Sequence, residues 1–265
     1  MQQPTLEQVI NWTTEAGEIA KKMQSQDIEK HYKAPTELVT AADTAVEEFL
    51  LKKIREQFPN HSINAEESGE LVQDSDHEWF IDPIDGTLNF SHGLPIYSVS
   101  VAYAYRGELQ IGVIFSPGLQ ETFWALKGEG AFLDGKHIQV SAIDNLSDSL
   151  FITGFRKYLL DTPRSNIKNF VCFSREVQTI RRLGSSALDM AYVACGRAEG
   201  FWEIALNPWD VAAGILIIRE AGGIVEGLYG KADILKGNVD ILGANPKIFP
   251  QMREILLEIK PEISE

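Results

Sequence analysis

The hydrophobic pattern opens with a helical period. Apolar or small residues stand at Leu6, Val9, Ile10, Thr13, Ala16, Ala20 and Met23, and Thr5-Leu6-Glu7-Gln8 has the form of a capping box, which predicts one long amphipathic helix. Lys33 to Thr40 contains Pro35 and reads as a mobile connection. A second helix is predicted from Ala41 to Phe58, with its apolar face at Ala42, Ala45, Val46, Phe49, Leu50 and Ile54, stopped by Pro59-Asn60. The period then changes. Ser62 to Ala65 is a short strand, and Trp79-Phe80-Ile81 is a bulky apolar triplet suited to a buried strand that Pro83 should end at Asp82. Strand-like runs follow at Ile96 to Tyr105, Leu109 to Phe115 and Glu121 to Leu126, and Asp134-Gly135 is a hairpin signal, so this block predicts an antiparallel meander. Leu159 to Phe170 has no clear period and fits a helix or a loop. Arg181 to Ala191 turns from strand to helix with Ser185 placed as the cap, Glu199 to Glu203 is a strand, and Pro208 starts the next helix. Ile224-Val225 and Asp240 to Gly243 add late strands before a closing helix from Phe249 to Ile259.

Composition narrows the class. The 265 residues are 44% hydrophobic, enough for an extensive core in one or two domains. There is no repeat, no low-complexity linker, no apolar run near the roughly eighteen residues of a membrane span, and no basic-then-apolar leader in Met1-Gln2-Gln3-Pro4. A cytoplasmic protein is expected. Cys172 and Cys195 fit no metal-ligand spacing and are expected as buried, reduced thiols, while His31, His61, His77, His92 and His137 show no paired spacing and suit structural or surface roles. A net charge of −14, from 24 basic and 38 acidic residues, opposes direct association with nucleic acid or an anionic membrane. An anionic substrate would need local cations to attract it.

Trp79-Phe80-Ile81-Asp82-Pro83-Ile84-Asp85-Gly86-Thr87-Leu88-Asn89-Phe90 carries the chemistry. Asp82 and Asp85 flank a proline-fixed bend, and Gly86 lets backbone approach closely. Carboxylates gathered in so small a volume repel unless a cation lies between them, and oxygen ligands suit magnesium or manganese. Taken alone the run also fits a surface turn, an acidic pair such as Glu66-Glu67 also fits a solvated face, and Asp43 also fits a carboxylate that complements a helix dipole.

The run resembles the metal-binding signature of the inositol monophosphatase family, D-P-[ILV]-D-G-T-x-N-[FY], without a departure. A second family motif is matched by Trp209-Asp210-Val211-Ala212-Ala213-Gly214 followed by Glu220-Ala221-Gly222-Gly223, and Lys33 to Asp43 is similar to a third. Ala65 departs from the glycine usual before the Glu-Glu pair. The resemblance, from about Leu6 to Ala244, implies the layered αβαβα sandwich, an α+β fold shared with fructose-1,6-bisphosphatases. The halves would be residues 1–145, with most metal ligands, and 146–265, with Asp210 and the ring pocket. It implies a lithium-sensitive, magnesium-dependent phosphomonoesterase with two or three Mg2+ ions, Mn2+ being an alternative. Glu66, Asp82 and the Ile84 carbonyl would hold one ion and Asp82, Asp85 and Asp210 a second about 4 Å away, with Glu66 touching a weaker third. Glu67 would support the site. Asp43 and Thr87 would orient the attacking water, Gly86 and Thr87 amides would bind phosphate, and Gly184, Ser185, Ser186 and Glu203 would contact the sugar or cyclitol ring. The implied substrate is myo-inositol 1-phosphate and the implied assembly a homodimer. Fructose 1,6-bisphosphate, histidinol phosphate and nucleotide 3'-phosphates are the alternative substrates, and a regulatory protein bound to transcription or ribosome factors is the alternative of another class.

Overall fold

The computed structural model describes residues 3–25, 30–34, 37–228, 230 and 233–258. The chain runs α1 (Leu6–Gln24), β1 (Lys30–Ala34), β2 (Glu37–Thr40), α2 (Ala41–Gln57), β3 (Ser62–Ala65), β4 (Gly69–Leu71), β5 (His77–Asp85) and α3 (Thr87–Ser91). The meander follows as β6 (Ser98–Tyr105), β7 (Glu108–Ser116), β8 (Glu121–Leu126), β9 (Gly130–Leu133) and β10 (Lys136–Ile138). The remainder is β11 (Leu150–Thr153), α4 (Ile167–Phe173), β12 (Thr179–Arg181), α5 (Ser186–Ala194), β13 (Gly200–Leu206), α6 (Pro208–Glu220), β14 (Ile224–Gly227), β15 (Val239–Ala244) and α7 (Phe249–Glu258).

Two sheets organise these elements. The larger has the order β10-β9-β8-β7-β6-β5-β3-β4 and is antiparallel except where β3 runs parallel to β5. The smaller has the order β12-β11-β13-β15-β14, parallel through its first three strands and antiparallel thereafter. Strand alternation separates the layers, because neighbouring side chains point to opposite faces. Trp79 and Ile81 join Val9, Trp12, Val46 and Leu50 in the core under α1 and α2, while Phe80 between them faces Ala212, Ile215 and Leu188 of α6 and α5. Phe201 and Ile241 of the smaller sheet complete that central core, and Trp202 and Leu242 turn the other way toward Phe173 and Met252 of α4 and α7. The result is an α+β sandwich in which α5 and α6, whose buried residues encircle much of each helix, lie between the sheets.

Several sequence expectations change in detail. Thr5 does form the reciprocal capping box with Gln8. Of Lys33 to Thr40, read from the sequence as a connection, the described residues fall in an antiparallel hairpin that pairs Lys30–Ala34 with Glu37–Thr40, and Pro35-Thr36 lies outside the described residues. Asp134-Gly135 is a two-residue turn with both residues at positive φ, which is why Asp and Gly occupy it. The patternless stretch resolves into turns and the start of α4. Both cysteines are free but half-buried rather than buried. No helix among the described residues is long and apolar enough to cross a membrane.

Candidate active site

The strand β5 does not stop at Asp82. It continues to Asp85 through a bulge: Asp82 pairs with Ser100 and Asp85 with Ser98, so Pro83 and Ile84 together oppose only Val99. A proline without an N–H is tolerated where the ladder already skips a residue, and the bulge re-aims the side chains around it. Gly86 then caps α3 at φ 96°, where a Cβ would lie 3.1 Å from the carbonyl oxygens of both Gly184 and Ile96. Only glycine fits that turn. Asn89 ties it to the second half of the chain, its Nδ2 donating to the carbonyls of Ile96 and Leu183 at 2.8 Å each.

Glu66 arrives from β3, whose parallel pairing with β5 brings their C-terminal ends together, and its amide donates to Ile81 O at 3.2 Å. The turn after it is clamped by Glu47, whose two carboxylate oxygens accept from the amides of Glu67 and Ser68 at 2.8 Å each. Glu47 was not read from the sequence as a site residue. Its signal was available: a carboxylate inside the stripe Val46, Leu50 and Ile54 of α2, where it is 2% exposed. Asp210 comes from the first turn of α6, preset by Pro208 at the start and by a capping box in which the Asn207 amide donates to Asp210 Oδ2 at 2.8 Å.

These carboxyls converge. Asp82 lies close to both Glu66 and Asp210 and feels the charge of each. Burial, and then the charge of Asp210, pushes Glu66 well above the ordinary carboxylate range, while burial and then the charge of Glu66 does the same to Asp82. Glu66 Oε2 and Asp82 Oδ1 are buried with no hydrogen-bond partner in the protein. Buried carboxylate oxygens left without donors are a costly arrangement for a protein alone and a suitable one for a hard divalent cation. The donor set therefore fits a magnesium or manganese centre, although no three of these side chains already stand as a closed cage among the described residues.

Asp43 and Thr87 are brought together as the sequence suggested. Thr87 Oγ1 lies 3.2 Å from Asp43 Oδ1 and 3.1 Å from the carbonyl of Ile84. Asp43 also completes the capping box of α2, accepting from the amide and hydroxyl of Thr40 at 2.8 and 2.5 Å. The helix-start reading of this residue is therefore seen directly, and the same carboxylate also faces Thr87. Burial raises its pKa to about 6 against the opposing hydrogen bonds from Thr40.

The end of α5 differs from expectation. Ser185 occupies the N-cap position, but its hydroxyl does not cap the helix; it donates to Asp85 Oδ2 at 2.5 Å. The cap is Asp85 itself, which accepts from the amides of Ser186 at 3.2 Å and Ala187 at 2.7 Å. A carboxylate at a helix start gains both donors and dipole, and here it joins the two halves of the chain. Burial raises Asp85 to about 6 even so.

Glu203, on β13, stands beside this helix start with Oε2 3.4 Å from Ser186 Oγ, and burial lifts its pKa to about 7 although the charge of Arg156 opposes the shift. A Cβ on Gly154 would sit 2.3 Å from the Glu203 carboxylate, so the residue after β11 must be glycine for Glu203 to lie there. Arg156 donates from Nη2 to Asp210 Oδ2 at 2.8 Å and holds Nε 3.9 Å from Glu203 Oε1. Gly154 and Arg156 were missed by sequence reasoning, since they belong to no periodic element and only the folded chain shows what they face.

A layered α+β sandwich with carboxyls gathered where a bulged strand, a clamped turn and a helix start meet defines the class of fold and site. The inositol monophosphatase family model matches residues 1–259, and the chain belongs to that family. It is 38% identical over 266 residues to Nus factor SuhB of Escherichia coli, covering 99% of this chain and 98% of the relative. It is 42% identical over 221 residues to inositol-1-monophosphatase of Synechocystis sp., covering 83% of this chain and 77% of the relative. The structure of inositol monophosphatase from Anabaena (Nostoc) sp. superposes with a TM-score of 0.86 at 38% identity, over 97% of this chain and 96% of that one.

Proposed function

We propose that this protein is a magnesium-dependent phosphomonoesterase acting on a small phosphorylated cyclitol or sugar, with myo-inositol 1-phosphate as the preferred substrate. The observation that carries the reading is the proximity of Glu66, Asp82 and Asp210, with partnerless buried oxygens among them. Glu66, Asp82 and the Ile84 carbonyl would hold one cation, Asp82, Asp85 and Asp210 a second, and Glu66 an edge of a third. Bound there, such ions supply an acidified water and neutralise charge on the phosphoryl and leaving oxygens. The protein's own residues do the positioning. Thr87 gives its single hydroxyl proton to Asp43 or to the Ile84 carbonyl, which leaves its lone pairs to accept from a water and fix that water's orientation. The amides of Gly86 and Thr87 are donors for phosphate oxygens. Glu203, when ionised, accepts from ring hydroxyls beside Ser186 and the turn at Gly184-Ser185, and the site's remaining carboxylates disfavour a substrate that arrives without cations. A homodimer in the cytoplasm belongs to the same reading.

A second reading is favoured by one finding: relatives matching nearly the whole chain carry the name Nus factor, which suits a regulatory protein in transcription. The net charge of −14 makes a protein partner the better fit than direct nucleic-acid contact. Phosphate release measured over a panel of inositol 1-phosphate, fructose 1,6-bisphosphate, histidinol phosphate and nucleotide 3'-phosphates, each with and without Mg2+, tests the first reading. Release that requires Mg2+ and is fastest with inositol 1-phosphate is expected. No release from any substrate with Mg2+ or Mn2+ present would overturn it and leave the regulatory reading.

A further inference from the structure

Arg156 is the one basic side chain seen to contact the carboxylate cluster among the described residues. Its side chain is one-third exposed, and it lies between Asp210, 2.8 Å from Nη2, and Glu203, 3.9 Å from Nε. Nε is buried and makes no hydrogen bond. A guanidinium has five donors in a planar fork and is well seated when two of them meet one carboxylate side by side. Arg156 meets Asp210 with one and Glu203 with none at hydrogen-bond distance, so charge rather than fitted geometry holds it in place.

Asp210 does not depend on this contact for its position. The Asn207 amide donates to the same Oδ2 at 2.8 Å, and the residue is fixed on the first turn of α6. What Arg156 adds is one positive charge beside a carboxylate that also lies close to Asp82. That charge offsets part of the repulsion among the carboxyls when no metal is present. By Coulomb's law it also opposes any divalent cation that approaches the same carboxylate.

We propose that Arg156 is an internal counter-cation that competes with a divalent cation for Asp210 and thereby sets the magnesium affinity of the site. This rests on the metal-dependent reading given above. The sign of the effect separates the proposal from a positioning role: a side chain needed to aim Asp210 would weaken magnesium binding when removed, whereas a competing charge strengthens it.

The test is a magnesium titration of the full chain by calorimetry, comparing wild type with Arg156→Met, Arg156→Gln and Arg156→Lys. Met and Gln remove the charge and are expected to bind magnesium about tenfold more tightly, equivalent to about 1.4 kcal/mol. Lys keeps the charge and is expected to stay within about threefold of wild type. Unchanged or weaker binding in both Met and Gln, or Lys binding as tightly as Met, would overturn the proposal while leaving the metal reading intact. Absence of magnesium binding in all four proteins would overturn both.

Discussion

The two ends of β5 bury polar groups at the same depth and treat them in opposite ways. Near its start, His77 Nδ1 and the Tyr103 hydroxyl are 2.6 Å apart, Trp79 Nε1 donates to His61 Nδ1 at 3.1 Å, and the His61 and His77 rings stack with centroids 4.2 Å apart. Each of these four residues is at most 4% exposed, and their polar atoms meet one another. At the far end Asp82 is 2% exposed, yet the charges acting on it are those of Glu66, Asp85 and Asp210, and one of its oxygens has no hydrogen-bond partner. A partnered buried group stabilises one conformation, whereas a partnerless one costs free energy unless a ligand completes it. The strand therefore carries a structural end and an end that, on the proposed function, is poised for binding, and the hydrogen bonds separate the two without reference to any motif.

The largest effect is expected from breaking the binding end. Asp82→Asn keeps the shape, removes one charge and supplies an amide donor to Glu66 and Asp210. Phosphate release should fall by at least about a hundredfold, the scale of losing electrostatic stabilisation at a reacting centre. In the presence of a chelator the same variant should melt higher than wild type, by an amount corresponding to about 1 kcal/mol. Turnover near wild type at saturating Mg2+, or a lower melting temperature with chelator, would contradict the assignment of Asp82 to the binding end.

The next concerns Glu203, whose folded pKa of about 7 stands above the 4.5 of an unperturbed glutamate, chiefly through burial. Between those values the folded chain keeps a proton that the unfolded chain releases. The stability contributed by that proton is complete below about pH 4.5 and is lost as pH rises toward 7, by up to about 3 kcal/mol. Glu203→Gln should remove this slope, so that it equals wild type near pH 4.5 and exceeds it at pH 8 in denaturant titrations without Mg2+. Parallel profiles for the two proteins would show that Glu203 is ionised throughout.

How far this division was legible in the sequence depends on the kind of information each residue carries. The period of Trp79 to Ile81 showed a buried strand, and the run through Asn89 gave Asp82, Asp85 and Thr87 as candidates, because local spacing is written in the chain. Pro83 was misleading as a stop, since a bulge that skips one ladder position accommodates it and only the partner strand β6 reveals the skip. Asp85 as the cap of α5 makes contacts across 101 and 102 positions, and Ser185 looked like the cap because serine so often is. The histidines had no paired spacing because His61 and His77 are joined across parallel neighbours β3 and β5 rather than along one helix. Gly154 and Arg156 act only through what folding brings to them, whereas Glu47 left a trace as a carboxylate within the apolar stripe of α2.

The structural end should break differently. His77→Phe preserves the ring stack and leaves the Tyr103 hydroxyl without its partner, a loss of about 2 kcal/mol. Chemical denaturation should register that cost while Mg2+-dependent phosphate release at a temperature well below melting stays within about twofold. A large fall in turnover at unchanged stability would mean that the two ends of β5 are coupled and that the contrast between them fails.

The smallest effect tests the second bulge. The β13 pairing with β15 shifts register between Glu203 and Leu206, much as β5 shifts between Asp82 and Asp85, so an acidic residue stands at the leading edge of each. Inside the β13 bulge Ala205 takes φ 56°, a left-handed conformation held by its amide donating to Asp240 Oδ1 at 2.8 Å, with Asp240 in turn gripped by Arg164 at 2.7 and 2.9 Å. An alanine there costs about 1 kcal/mol relative to glycine. Ala205→Gly should recover that strain less the added freedom of the unfolded chain, a net gain of about 0.5 kcal/mol and roughly 1 °C in melting temperature. Because the bulge geometry is retained, Glu203 should keep its orientation and the pH slope described above should be unchanged. A melting temperature below wild type would mean that the Asp240 clamp, rather than backbone strain, dominates at this position, and a lost pH slope would mean that Ala205 itself aims Glu203 toward Ser186.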